Sequence, residues 1–468
     1  MSKHLAASVL CLAACIGAAS AQTVQSGRIG HPGESVHVTT AGFRAETVDI
    51  FFDTKPVLRG AANGAYSITV PADAQPGTHW ITALAHKSGD GAQAMLNVNS
   101  DWPELGFSPR GTRNNWHENT LTPANVSALA LAWQTTVDNW ASSPVVANGL
   151  LYIGTRDGHV LALDAVTGVQ RWSAATAASI MSTPAVSDGT VYVTSNDRKL
   201  YAFDAATGAL RWASVTDATI NASPVAANGL VYVTADSGTL FAFKARNGIL
   251  AWEAAHDFLS PGSTPAAAGG MVYAMSDQDV VFGFDGASGA LKWVSGHVTV
   301  GHAVGSPAIM DGVVYISSDR GIGAFDALTG ATLWSDGVGP GKGSLAAAKG
   351  AIYMGTEDHV LWNVDAKTGA IVRASFAASS MDCSPAVANG VLYIGDDSGT
   401  VSAYRAKSGK LLWSASTGIA SIYAAPAVAN GMLYTMSGNG SLLAYALNAG
   451  DDAAYKGNPE PASFAALH

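Results

Sequence analysis

Residues 200–212 read "LYAFDAATGALRW", and close variants stand at 161–172 ("LALDAVTGVQRW"), 282–293 ("FGFDGASGALKW") and 323–334 ("GAFDALTGATLW"). Each phrase runs from alternating apolar residues into Asp, then a Thr-Gly or Ser-Gly pair, then tryptophan four residues beyond the glycine. The apolar run is a strand. Asp204 and Thr207 can bond turn amides through their side-chain oxygens, and Gly208 can take a positive φ. Trp212 then lies on the strand that leaves the turn. A phrase that returns at regular intervals marks stacked copies of one structural unit.

A second frame precedes each phrase. Its first slot holds Pro144, Pro184, Pro224, Pro265, Pro307, Leu345, Pro385 and Pro426. Five residues later every unit has glycine, from Gly149 to Gly431, and three further on a tyrosine, from Tyr152 to Tyr434. The repeat length is 38 to 42 residues with four strand-like runs, which is what a propeller blade requires. "NG" or "DG" supplies a two-residue hairpin turn between the first two runs. The tryptophan slot is filled by Trp172, Trp212, Trp252, Trp293, Trp334 and Trp413, with Arg373 in the sixth unit and nothing in the eighth. Trp133, in "ALALAWQTT", stands 11 residues before Pro144 and supplies the missing one. The expected fold is all-β: an eight-bladed β-propeller over 129–448, closed by its own N-terminal strand, with few exposed sheet edges. The tryptophans are expected to dock between blades, a structural role.

The rest of the chain reads differently. Residues 23–99 carry short alternating runs such as "ESVHVTTAGF" and "THWITALAH", broken by Gly, Pro and Asp, and predict a small β-sandwich of six or seven strands. On "VPADAQPGTHWITA" this stretch resembles bacterial immunoglobulin-like modules. Residues 100–128 are expected to be an extended linker and 449–468 a tail. "MSKH", the apolar "LAASVLCLAACIGAA" and "ASAQ" predict a signal peptide over 1–21 cleaved after Ala21. "LAAC" offers the alternative of a lipid anchor at Cys15, as in an outer-membrane lipoprotein. Either way the protein is expected to be exported, periplasmic or secreted, with no transmembrane span. Only Cys383 lies beyond the leader, so no intrachain disulfide is expected, and Cys383 reads as a small buried residue.

With 25 Lys and Arg against 35 Asp and Glu, the net charge is −10, and no basic run exists to neutralise phosphates. Nucleic acid is therefore excluded as a partner. No HExxH, CxxC or paired histidine at ligand spacing occurs, and "GVGPGKGS" at 337–344 aligns with blade-entry loops.

The turn residues Ala202, Asp204, Thr207, Gly208 and Trp212, with the lead-in "NNWHENTLTPANVSALALAW", resemble the quinoprotein-type propeller family. That resemblance implies an eight-bladed propeller. It leaves chemistry open, because the same repeats occur in pyrroloquinoline-quinone dehydrogenases and in the non-enzymatic outer-membrane-assembly lipoprotein BamB. The dehydrogenases use an adjacent cysteine pair and a calcium held on insertions between blades. Here no adjacent pair exists outside the leader, and blade spacing is nearly constant. The expectation is a non-catalytic binding or scaffold protein of the cell envelope, with no cofactor. Pyrroloquinoline quinone with calcium belongs only to the alternative, a dehydrogenase with a reduced active site. The partner expected is another envelope protein or a small polar ligand. A ligand site would lie where the fixed frame varies, at the entries to the innermost strands, around the channel mouth. Asn221, Lys342, Asp382 and Tyr423 hold equivalent entry slots, with Asn139, Trp140 and His302 beside them. Plain loop variation accounts for the same pattern.

Overall fold

The computed structural model describes residues 22–26, 29–43, 46–137, 141–255, 262–296, 305–339, 341, 343–418 and 421–447. The expected leader, Cys15 and the tail lie outside the described residues. Apart from one 3-10 turn at Val126–Ala128, the described regular structure is all strand. No helix among the described residues is long and apolar enough to cross a membrane.

The N-terminal residues form two sheets. One pairs Thr23–Ser26, Ser35–Ala41 and Gly64–Thr69. The other orders Ile29–Gly30, Gly91–Val98, Gly77–Ala85, Val48–Phe52 and Lys55–Ala61. Ser35–Ala41 alternates strictly between exposed and buried, as a strand with one face on a core must. Val38, Ile50, Ile81 and Leu96 fill the space between the sheets. The count is eight strands, because the short Ile29–Gly30 pairs in parallel with Gly91–Val98.

From residue 129 on, the chain builds eight four-stranded blades. Blades 1 to 7 cover 145–175, 185–215, 225–255, 266–294, 308–336, 346–376 and 386–416. Blade 8 takes three strands from 427–447 and its outermost from Leu129–Thr136, which pairs with Ser441–Leu447 and sets Trp133 opposite Ala444. The N-terminal strand therefore closes the ring as its tryptophan predicts.

The repeated phrase is explained by what it meets. Asp204 Oδ1 accepts the amides of Ala206 and Thr207 and the Thr207 hydroxyl. Gly208 has φ 73°, and a Cβ there would lie 2.6 Å from Trp172 of the preceding blade. The glycine is thus required twice, by its own backbone and by its neighbour's ring. Trp172 Nε1 in turn donates to Ala205 O at 2.9 Å, and the Tyr152 hydroxyl donates to the same carbonyl at 3.1 Å. The arrangement recurs: Trp252 and Tyr232 on Gly286 O, Trp293 and Tyr273 on Ala327 O, Trp133 and Tyr434 on Ala165 O. At the seam between blades 6 and 7, Arg373 is exposed and Asn363 Nδ2 reaches Ala406 O at 3.4 Å instead.

Two outcomes follow for stability. Trp172 is buried, and Trp172→Ala removes its ring and its indole donor together, so a loss of about 3–5 kcal/mol is expected in urea denaturation. Arg373→Ala should move the midpoint far less, and equal shifts would deny the docking role. The turn aspartates Asp164 and Asp204 are held below the usual carboxylate range by their turn donors and by Arg171 and Arg211. Their folded pKa lies under the unfolded value. The stability they contribute is therefore present above about pH 4 and lost as pH falls through the folded pKa. An Asp204→Asn variant should flatten that acid limb of a thermal-melt series.

Candidate functional site

The innermost strands leave one edge each facing the central channel, and those edges need partners. Residues 102–115 supply them. This segment runs once around the channel and meets all eight blades in ring order at the same repeat position. Trp102 exchanges backbone bonds with Val146, and the amide of Val186 donates to Pro103 O. Ala226 donates to the Glu104 carboxylate in blade 3. Ala267, Ile309, Ala347 and Val387 donate to the carbonyls of Pro109, Arg110, Thr112 and Arg113. Asn115 Nδ2 closes the circuit on Val428 O at 2.8 Å. The stretch expected as a linker is a strap inside the ring.

The strap is anchored on the face that carries the hairpin turns. Asp101 accepts the Asn148 amide at 2.9 Å and the Asn430 side chain at 2.9 Å. Buried Glu118 takes the amides of Thr120, Leu121 and Gly431 and the Ser100 hydroxyl. The sandwich sits against the same region, with Asn119 Nδ2 on Ala74 O at 2.7 Å and the His31 ring 4.8 Å from that of His117, tilted by 31°. The strand entries are on the opposite face.

Towards that opposite mouth a belt of hydroxyls lines the channel. One residue before the proline slot stand Ser143, Thr183, Ser223, Thr264, Ser306, Ser344 and Ser384, with Ala425 in the last blade. The Thr183 amide donates to Ser223 Oγ, Ser223 to Thr264, Thr264 to Ser306, Ser306 to Ser344 and Ser344 to Ser384. Ala425 donates to Ser143, carrying the belt across the closure. Cys383, buried, fills a neighbouring hydroxyl position. Its Sγ takes the Gly395 amide at 3.0 Å, as Ser142 Oγ takes that of Gly154 at 2.9 Å.

Between belt and strap lies a small hollow with room for about one water, lined by Glu104, Ser108, Arg113 and the prolines of blades 3 to 5. Glu104 and Arg113 are 5% and 2% exposed, and both carry a side-chain atom without a partner. Burial pushes the Glu104 carboxyl up to about 8 and the Arg113 guanidinium down to about 10.

Of the entry residues read from the sequence, Asn139, Trp140, His302 and Lys342 lie outside the described residues. Asn221 Nδ2 binds Asp236 at 2.7 Å, and Asp382 accepts from Ser380 at 2.7 Å. Tyr423 is half exposed. Asp382 and Tyr423 stand on adjacent blades, 7 and 8, whereas Asn221 on blade 3 is four blades from Asp382, across the ring. Sequence reading missed Glu104 and Arg113, because a charged residue in "DWPELGFSPRGTR" looks solvated until the ring closes around it.

Glu104 carries a proton linkage. Its folded pKa lies above the unfolded value, so wild-type stability falls as pH rises from about 4.5 to about 8. Glu104→Gln keeps an acceptor for Ala226 and removes the linkage. The variant should gain on wild type across that window by at most about 1.4 kcal/mol per pH unit in denaturant midpoints. A constant difference would mean that the carboxyl ionises freely in the fold.

Comparison with known proteins agrees with this geometry. A family model described as outer membrane protein assembly factor BamB matches residues 176–375 and 376–461, more than half of the chain. A model for the β-propeller domain of glucose, ethanol and alcohol dehydrogenases matches 102–181. BamB from Moraxella catarrhalis superposes with a TM-score of 0.60 at 20% identity, covering 69% of this chain and 99% of that one. A europium-containing methanol dehydrogenase gives 0.64 at 14% identity, covering 74% and 98%. The quinohemoprotein alcohol dehydrogenase of Comamonas testosteroni is 29% identical over 101 residues, a stretch that is 21% of this chain and only 14% of that relative. Its structure superposes with a TM-score of 0.63 at 15% identity, over 78% and 82% of the two chains. These likenesses to solved structures carry the propeller fold, and on the extent of the first match the chain belongs to the family of the outer membrane protein assembly factor BamB.

Proposed function

We propose that this protein is a non-catalytic binding or scaffold protein of the bacterial cell envelope, exported by its leader, whose propeller mouth docks a partner protein or a small polar ligand. The observation that supports this most is the strap. It occupies the channel axis and, with the sandwich, covers one face, so the strand-entry face is the one left for a partner. Asp382 and Tyr423 on adjacent blades offer a negative charge and hydrogen-bonding capacity there, and the sequence adds Lys342 and His302 to segments that precede other blades.

A quinone-dependent dehydrogenase is the competing reading, favoured by the short match to the Comamonas enzyme. The residues present do not fit quinone and calcium. The axial hollow has no aromatic ring in its wall to stack a planar cofactor. Among the described residues no group of three His, Cys, Asp or Glu could hold a metal ion. Cys383 is committed to the Gly395 backbone.

The test is capture of partners from envelope extracts on the tagged mature chain, with a Lys342→Ala, Asp382→Ala double variant that keeps its thermal midpoint as control. Retention by wild type and weakened retention by the variant are expected. Unchanged retention would move the docking site to the blade edges or the sandwich. In parallel, dye reduction with alcohols or sugars should stay at background after addition of pyrroloquinoline quinone and calcium, and turnover there would overturn the non-catalytic reading.

A further inference from the structure

We propose that the sandwich is docked on the propeller by a histidine contact that mild acid opens, so that proton uptake frees the hairpin-turn face while both units stay folded. The starting point is how little else joins the two. Their cores share no residue: that of the sandwich runs from Val24 to Val98, and that of the propeller begins at Trp102. Among the described residues, the hydrogen bonds that join them gather on residues 117–120, where the chain leaves the channel. Asn119 Nδ2 donates to Ala72 O at 3.1 Å and to Ala74 O at 2.7 Å, and the Thr120 hydroxyl donates to Gln75 Oε1 at 2.9 Å. These are neutral bonds at the border with solvent, where water competes for each partner.

The buried part of the contact is a pair of imidazoles. His117 is buried, and its ring centroid lies 4.8 Å from that of His31. Phe107 and Trp116 pack beside it, with centroids at 6.1 and 5.5 Å. Two acceptors favour a proton on His117: Pro32 O lies 3.5 Å from Nδ1, and a Glu34 carboxylate oxygen 3.4 Å from Nε2. Both contacts are long, and the Glu34 side chain is 52% exposed, so water screens it. Burial and the neighbouring imidazole outweigh them and hold His117 below the ordinary imidazole value of 6.5. His31 donates from Nδ1 to Asn99 O at 2.9 Å. Asp101 also faces it, but burial raises that carboxyl, and its oxygens already take the Asn148 amide and the Asn430 side chain. Glu118 is occupied by the amides and the hydroxyl already described.

Docked, His117 therefore binds a proton less readily than it does free. Docking is strongest above about pH 6.5 and weakens as pH falls through that value towards the docked pKa, by at most about tenfold per pH unit for one proton. Release concerns the face opposite the strand entries, so it stands apart from whatever partner the strand-entry face takes.

The measurement is the distance between spin labels on Thr69→Cys in the sandwich and Ala206→Cys in a hairpin-face turn of the full mature chain, at about pH 7.5 and about pH 5.5. Both positions are exposed, and Cys383 is buried away from the reagent. One short distance at the higher pH and a second, longer population at the lower are expected, with near-ultraviolet circular dichroism unchanged. His117→Gln, which keeps a donor without a titrating ring, should stay docked at both. Should it be undocked at both, His31→Gln is read in its place and should stay docked. His86→Gln, which removes a histidine paired with Asp49 inside the sandwich, should leave the wild-type response intact. A wild-type distance unchanged across this range would overturn the proposal, as would a response that survives in both His117→Gln and His31→Gln. Two variants undocked at either pH would do the same, since the pair would then be a plain packing contact. So would a longer distance that appears only with loss of the dichroism.

Discussion

Six times around the ring, one backbone carbonyl receives both an indole N–H and a phenol O–H from the blade before it. Nearly everything else in the propeller is arranged to make that meeting possible. In five of the six an aspartate turn holds the carbonyl in place, with Lys244 in the slot at the other, and the turn glycine clears room for the indole. Burial of the rings pushes phenols such as Tyr232 and Tyr273 up to about 12, so they remain donors at neutral pH. A seam built on neutral donors and apolar rings is insensitive to salt, unlike one built on surface ion pairs.

The ring was legible because its determinants are local. Pro, Gly, Tyr, Asp, Thr, Gly and Trp occupy fixed offsets inside one repeat, and each acts on the same or the adjoining blade. Trp133 could be assigned to the last blade for the same reason, by counting a slot. The strap was not legible. Its bonds are made mostly by main-chain carbonyls of Pro103, Pro109, Arg110, Thr112 and Arg113, which leave no trace in residue type. Glu104 serves as a substitute carbonyl for Ala226, and nothing in "DWPELG" distinguishes that use from a solvated loop acid.

The channel mouth is intermediate. Variation at the strand entries marks positions around the mouth, but a variable slot records only that packing does not dictate the residue. Asn221 and Asp382 share a repeat position and still stand four blades apart, so equivalence in sequence is not proximity in the ring. The hydroxyl belt shows the converse. Ser and Thr alternate without an obvious rule in the sequence, yet six of these side chains perform one task, receiving the amide of the preceding blade. Cys383 fits the same logic, since sulfur in a hydroxyl position accepts an amide without needing an active thiol.

The closure of the ring also constrains how the chain reaches its fold. Leu129 accepts from Trp413 across 284 residues, Asn115 reaches Val428 across 313, and Ser100 binds Asn430 across 330. The end of the strap and the closing strand are made first and find these partners last. Until blade 8 exists the Asn115 side chain and the closing strand wait for them, and such long-range closure is slow. The ring cannot be shortened from its C-terminal end one blade at a time, because the first strand of the propeller belongs to the last blade. Assembly is therefore a single event at the scale of the whole domain, unlike the blade-by-blade growth open to an unclosed repeat array.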